Sequence, residues 1–134
     1  MNRDAAAPRI SIGIIDDDAS VRVSLQRLCE VYDFKATGYA SGLDFLASLD
    51  DTRPQHDCLL LDAHMPGMTG SELHRTLITL GVRIPTIVIT ADDAPDVSAH
   101  YGPAGIVAYL RKPLACEDLM PAIEQAVRGG RIGT

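Results

Sequence analysis

Apolar residues gather in five short runs along the chain, and all but the second run are almost uniformly apolar rather than alternating with polar residues. A strand that is buried on both faces has this pattern, as in a parallel sheet that helices cover on both sides. The pattern therefore predicts five strands, at residues 10–15, 35–39, 58–61, 84–90 and 106–110.

The segments between these runs carry apolar residues three or four positions apart, which is the spacing of one helix face. In the second and third segments, the residues predicted to share a face are Leu43, Leu46 and Leu49, and Leu73, Leu77 and Leu80. Helix start signals agree with this spacing. Thr69 and Glu72 have the spacing of a capping box, Ser41 and Asp44 resemble one, and Asp18 can cap the first helix. The fourth segment is the weakest, because glycine and proline follow residues 96–101 directly and should end a helix early. We expect a short or loosely held helix there.

A strand followed by a helix, five times over, predicts an α/β fold in a single domain. Right-handed crossovers would cover both faces of a doubly wound, five-stranded parallel sheet with five helices. The flavodoxin-like strand order 2-1-3-4-5 fits this pattern, with the functional site at the carboxyl ends of the strands. We expect the domain to span residues 9–127, between a flexible N-terminus at 1–8 and a loose C-terminal tail at 128–134.

The composition excludes several classes of function. Hydrophobic residues make up 46% of the chain, as in globular proteins, and the formal net charge of −6 argues against direct nucleic-acid binding. No apolar run could span a membrane, and residues 1–8 lack the apolar core of a signal peptide. The three cysteines and four histidines lack metal-ligand spacing, and His74 is predicted to lie on the polar face of its helix. We expect a cytoplasmic protein without disulfides, membrane contacts or an organic cofactor.

Polar and charged residues follow the predicted strands at their carboxyl ends. An Asp triplet at 16–18 follows the first strand, Asp62 ends the third, Thr90 ends the fourth, and Lys112 follows the fifth. Seen alone, each also fits a solvated turn, a helix cap or a surface position. Together they would lie at one rim, where two ionised carboxylates about 4 Å apart repel by about 4 kcal/mol at an effective dielectric constant of about 20. A hard divalent cation with oxygen ligands, such as Mg²⁺, would offset this repulsion.

Four segments of the chain resemble the signature segments of response-regulator receiver domains. They are Ile-Ile-Asp16-Asp17-Asp18, Leu-Leu-Leu-Asp62-Ala-His-Met-Pro-Gly-Met-Thr-Gly, Ile-Val-Ile-Thr90-Ala91 and Tyr109-Leu-Arg-Lys112-Pro113. The resemblance runs from about residue 9 to about residue 127, and around Asp62 the sequence is most similar to receivers that are fused to helix-turn-helix output domains. The resemblance implies a phosphoprotein of two-component signalling.

The resemblance also implies a magnesium site. Asp17 would bind Mg²⁺ directly, Asp16 mainly through water, and Asp62 both as a ligand and as the phosphoryl acceptor. The backbone carbonyl of His64 would complete the protein ligands, and Mn²⁺ could substitute for Mg²⁺.

Further residues are expected to contact the phosphoryl group or to move in response to it. By resemblance, Thr90 would hydrogen-bond it, Lys112 would form an ion pair with it, and Tyr109 would turn inward when Thr90 moves. The peptide bond between Lys112 and Pro113 is often cis in this family. His64 and Asp92 lie where receivers control the path of the hydrolytic water, so we expect them to tune dephosphorylation.

The implied function is a switch rather than a turnover enzyme. The phosphoryl group would come from a histidine kinase or phosphotransfer protein, and the face of the fourth helix, fifth strand and fifth helix would rearrange. That face could also form a homodimer and control an output domain or partner, with transcription as the expected output. Two alternatives stay open from the residues: a phosphatase of the haloacid-dehalogenase type, and a receiver-like interaction module that accepts no phosphate.

Overall fold

The computed structural model describes residues 9–49, 56–91, 97–102 and 105–132. Its strands are β1 (Ser11–Ile15), β2 (Lys35–Tyr39), β3 (Cys58–Asp62), β4 (Thr86–Thr90) and β5 (Ile106–Arg111). Its helices are α1 (Ala19–Val31), α2 (Gly42–Ala47), α3 (Gly70–Thr79) and α4 (Cys116–Ile132).

The five strands form one parallel sheet in the order β2-β1-β3-β4-β5, which confirms the predicted topology. All five residues of β3 and all five of β4 are buried, because these strands lie inside the sheet and are covered on both faces. This double burial accounts for their uniformly apolar sequences.

The core is divided by the sheet into two main clusters. On one face, α1 and α4 pack Leu25, Cys29, Leu119 and Ile123 against alternate residues of the central strands. On the other face, the cluster includes Phe45 of α2 and residues of α3. A smaller third cluster brings β4 and β5 together with segment 97–102. Alternation along each strand therefore assigns every second side chain to the same cluster.

The predicted caps are confirmed at three helices. The Asp18 side chain accepts hydrogen bonds from the backbone N–H groups at the start of α1, and the Ser41 side chain accepts one from Asp44 N. Thr69 and Glu72 form a complete capping box at the start of α3. These hydrogen bonds satisfy backbone donors that a helix leaves open, which explains where the helices begin.

Four of the five predicted helices have their bounds within the described residues. Only Val97 and Ser98 are helical in segment 97–102, and His100 N and Tyr101 N donate there to carbonyls three residues earlier. Part of the predicted fourth helix, residue 96, lies outside the described residues. The helical conformation ends before Gly102, as expected from the glycine and proline that follow.

Two expectations about helix faces were wrong. In α2, Phe45 is completely buried, whereas Leu43 is 65% exposed. In α3, His74 is buried at 5% exposure rather than lying on the polar face, and Leu80, just after the helix, is 59% exposed. The buried positions of α3 are 70, 73, 74 and 77, a full apolar face that includes the histidine.

The last helix continues to Ile132 and so overlaps the segment 128–134 for which a tail is predicted. The boundaries of the domain stay predictions. The three cysteines are free thiols. Within the described part of the chain, no helix combines the length and apolar character needed to cross a membrane.

Candidate phosphorylation site

Three carboxylates meet at the carboxyl ends of β1 and β3. The two strands are neighbours, with Ile15 opposite Leu61, so the residues that follow come close together. Asp16, Asp17 and Asp62 each place a carboxylate oxygen within 4.8 Å of the others. Asp16 and Asp62 are only 2% and 4% exposed, whereas Asp17 is exposed. Two nearly buried acids beside a third require a compensating positive charge.

The loop after β1 is held by its own hydrogen bonds. Asp16 Oδ1 accepts a hydrogen bond from Asp18 N at 2.9 Å, and Arg22 of α1 donates to the Asp16 carbonyl at 2.7 Å. The Asp16 amide in turn donates to the carbonyl of Tyr39 at 3.1 Å. Asp16 is thus held in position by Arg22 of α1 and by Tyr39 of β2. This role of the two residues was not predicted from the sequence.

Lys112 supplies the positive charge. Its Nζ lies 3.4 Å from Asp16 Oδ2 and 3.5 Å from Asp62 Oδ1, so one ammonium group bridges two buried carboxylates. Lys112 follows β5, and its amide donates to the Thr90 carbonyl at 2.8 Å. Thr90 ends β4 and is 1% exposed, so the structure brings it to the same rim. The Lys112–Pro113 peptide bond is cis, as expected.

The electrostatics of the site follow from burial and from the charges nearby. Burial raises the pKa of Asp62 to about 6; Asp16 and Asp17 also raise it, while the His64 amide and Lys112 act in the opposite direction. Burial by itself lowers the pKa of Lys112, but attraction to Asp62 and Asp16 raises it overall. Asp62 is therefore under strain when ionised, and Lys112 stays charged at neutral pH.

The remaining predicted residues fall around this centre. His64 is exposed, and its backbone N–H donates to Asp62 Oδ1 at 3.2 Å. Tyr109 of β5 is partly buried, and its ring packs edge to face on Tyr101, with centroids 5.9 Å apart. Asp92 lies outside the described residues. Tyr101 was missed by sequence reasoning, because the segment that carries it gave only a weak helical signal.

The donor set fits a hard divalent cation. Carboxylate oxygens from Asp16, Asp17 and Asp62 are the ligands that Mg²⁺ prefers, and three protein ligands would leave room for water or a phosphate oxygen. Among the described residues this is the one group of acids, histidines or cysteines close enough to hold a metal ion. The expected carbonyl ligand from His64 stays a prediction.

Comparison with known proteins identifies the family. The model of the response regulator receiver domain matches residues 12–124, so the chain belongs to this family. It is a receiver domain of a response regulator of two-component signalling, as the sequence motifs predict. The match gives no support to the haloacid-dehalogenase alternative.

Relatives and solved structures agree with this assignment. The chain is 34% identical over 116 residues to the transcriptional regulatory protein FixJ of Rhizobium meliloti, covering 87% of this chain and 56% of that protein. It is 33% identical over 119 residues to the response regulator MprA of Mycobacterium bovis, covering 89% and 51%. The crystal structure of FixJ-N superposes with a TM-score of 0.79 at 34% identity, covering 91% of this chain and 96% of that one. The chain spans about half the length of the curated relatives it matches.

Proposed function

We propose that Asp62 accepts a phosphoryl group from a phosphohistidine of a histidine kinase or phosphotransfer protein, in a reaction that requires Mg²⁺. The observation that carries this proposal is the cluster of Asp16, Asp17 and Asp62, bridged by Lys112 at 3.4 and 3.5 Å. Such a cluster is costly in itself and gains from binding a cation and an anion together.

In the transfer, a carboxylate oxygen of Asp62 forms a bond to phosphorus while the phosphorus–nitrogen bond of the donor breaks. The bonding pair returns to the imidazole nitrogen, and Asp62 becomes an acyl phosphate. Bound Mg²⁺ would supply positive charge to the transferring oxygens. Lys112 adds a fixed charge, and the His64 amide orients the acceptor carboxylate through Oδ1. Catalysis is then positioning and electrostatic stabilisation.

Phosphorylation would act on the rest of the domain through Lys112, Thr90 and Tyr109. The product carries about two negative charges and three acceptor oxygens, which would draw in the Thr90 hydroxyl and the Lys112 ammonium. Tyr109 would follow Thr90 inward. The face formed by segment 97–102, β5 and α4 would rearrange, and a near-complete switch requires about 5.5 kcal/mol of differential stabilisation.

The output of this switch is proposed to be transcription, through a domain or partner that the face contacts, with a homodimer through the same face. This is supported by FixJ and TdiR, both described as transcriptional regulatory proteins, of which the chain covers only part. His64 and Asp92 are proposed to set the lifetime of the phosphoryl group. Unchanged decay rates in His64→Ala and Asp92→Ala would contradict that role.

Labelling by acetyl phosphate tests the proposed acceptor. Wild-type protein should be labelled in Mg²⁺ or Mn²⁺ and not in EDTA, and Asp62→Asn should not be labelled. Asp44→Asn is a matched control, because Asp44 is an exposed aspartate in the first turn of α2 and should leave labelling intact. Persistent labelling of Asp62→Asn would refute the assignment. A wild-type protein that binds neither Mg²⁺ nor beryllofluoride would instead favour the interaction module without phosphate.

A further inference from the structure

Tyr101, in segment 97–102, lies near Gly70 and the backbone of Asp62. A Cβ atom at Gly70 would lie 2.5 Å from the Tyr101 hydroxyl oxygen and 2.6 Å from the Asp62 carbonyl oxygen. Both oxygens thus border the same small space, which exists only because residue 70 has no side chain. The Tyr101 hydroxyl therefore lies near the backbone at the end of β3, close to Asp62.

The environment of the Tyr101 hydroxyl is unfavourable for hydrogen bonding in this conformation. It is buried and has no hydrogen-bond partner within the part of the chain that the structure describes. Burial raises the pKa of Tyr101, with further contributions from Tyr109 and Asp62, so the hydroxyl stays protonated at neutral pH. A buried hydroxyl without a partner is unfavourable, whereas a phenyl ring in the same place is not.

Tyr101 also supports Tyr109. The two rings pack edge to face at 72°, and both lie against the cluster of Ala63, Val88 and Val97. Val88 is the partner of Tyr109 across the sheet, and Thr90, two residues later, points to the same face of β4. Tyr101 thus fills space beside Tyr109 on the side of the sheet where Thr90 lies.

The Tyr101 ring borders an open cleft. This cleft has a volume of about 270 Å³ and is lined among others by Ala63, Thr69, Val97 and His100. Tyr101 lies beyond Ser98, the last helical residue of its segment, so a shift of the ring does not require that helix to unwind.

We infer that Tyr101 is a positioning residue whose ring stabilises Tyr109 in the position described here, before phosphorylation. The buried Tyr101 hydroxyl makes this position less stable than a phenyl ring would. The inference rests on the proposed function, in which Tyr109 turns toward Thr90 after phosphorylation. Because the two rings are in contact and pack against the same cluster, a turn of Tyr109 requires Tyr101 to repack. Loss of the hydroxyl favours the conformation described here, and loss of the whole ring disfavours it.

Beryllofluoride, which mimics the phosphoryl group, tests this inference by titration calorimetry in Mg²⁺ together with thermal unfolding. Tyr101→Phe should bind about fivefold more weakly than wild type, which corresponds to about 1 kcal/mol, and should unfold at a higher temperature. Tyr101→Ala should bind about fivefold more tightly and unfold at a lower temperature. Tyr32→Phe is the matched control, since the Tyr32 side chain is exposed and its hydroxyl contacts Cys116 instead of a residue of the site. The affinity of this variant should equal that of wild type.

A purely structural role would change the unfolding temperatures and leave every beryllofluoride affinity within twofold of wild type; that result, or weaker binding by both Tyr101 variants, overturns the inference. If Tyr101→Ala does not fold, Tyr101→Phe decides alone, and an unchanged affinity counts against it. Failure of the wild-type protein to bind beryllofluoride is a distinguishable outcome, because it refutes the proposed function first and removes the basis of this inference with it.

Discussion

The Asp62→Asn substitution should stabilise the metal-free protein while it abolishes phosphorylation. Asp62 is nearly buried beside Asp16, and burial raises its pKa from 3.8 to about 6. Each pKa unit corresponds to about 1.36 kcal/mol, so the ionised side chain lowers the free energy of unfolding by about 3 kcal/mol at pH 8. Asparagine removes this charge and keeps an oxygen that can accept the hydrogen bond from His64 N, which lies 3.2 Å from Asp62 Oδ1.

The pH dependence of this gain has a defined sign. A carboxyl group whose pKa is raised in the folded state contributes most to stability when it is protonated, below pH 3.8, and loses that contribution as the pH rises through about 6. The difference between Asp62→Asn and wild type should therefore be large at pH 8 and small near pH 4. Lys112 keeps its ion pair with Asp16 in the variant, so the site retains one bridged carboxylate.

Urea unfolding in EDTA, followed by circular dichroism at pH 8 and pH 4, measures both quantities. We expect a gain of about 2–3 kcal/mol at pH 8, with Asp44→Asn unchanged at both pH values. Addition of Mg²⁺ should stabilise wild type more than Asp62→Asn, because the variant has lost one carboxylate ligand. An Asp62→Asn protein that is no more stable than wild type at pH 8 would show that the acid cluster is not under electrostatic strain.

Three further results are expected. Lys112→Ala should slow labelling by acetyl phosphate about 100-fold or more, because the fixed charge on the transferring oxygens is lost; a rate near that of wild type would contradict the role of Lys112. Burial lowers the pKa of His56. In Asp62→Asn protein, the free energy of unfolding should therefore fall as the pH drops below about 6.5. Adding His56→Gln to that variant should remove this dependence on pH. Gly70→Ala should lower the free energy of unfolding by about 1–3 kcal/mol in urea titrations, since the new methyl group meets the Tyr101 hydroxyl and the Asp62 carbonyl; equal stability would argue against this close packing.

The sheet and the acidic rim could be predicted from the sequence because each depends on local patterns that the topology then brings together. A buried strand is uniformly apolar, and a parallel arrangement places all carboxyl ends on one edge. Asp16, Asp62 and Lys112 lie at the carboxyl ends of three different strands, so their meeting required only the correct strand order.

The helix faces were harder to predict, because several apolar stripes fit the same helix. In α3, the spacing of Leu73, Leu77 and Leu80 suggested one stripe, but Leu80 caps the end of the helix and points to solvent. His74 completes the buried face instead, where it packs against the ring of Tyr101 at 5.8 Å. This contact depends on how segment 97–102 lies on α3, which residue periodicity alone does not determine.

The most direct test of the central claim is the chemical location of the phosphoryl group. Wild-type protein treated with acetyl phosphate and Mg²⁺, reduced with borohydride and analysed by peptide mass spectrometry should contain homoserine at position 62, the product of a reduced aspartyl phosphate. Homoserine at position 16 or 17 in place of 62, or phosphate retained on a histidine or serine, would contradict the account.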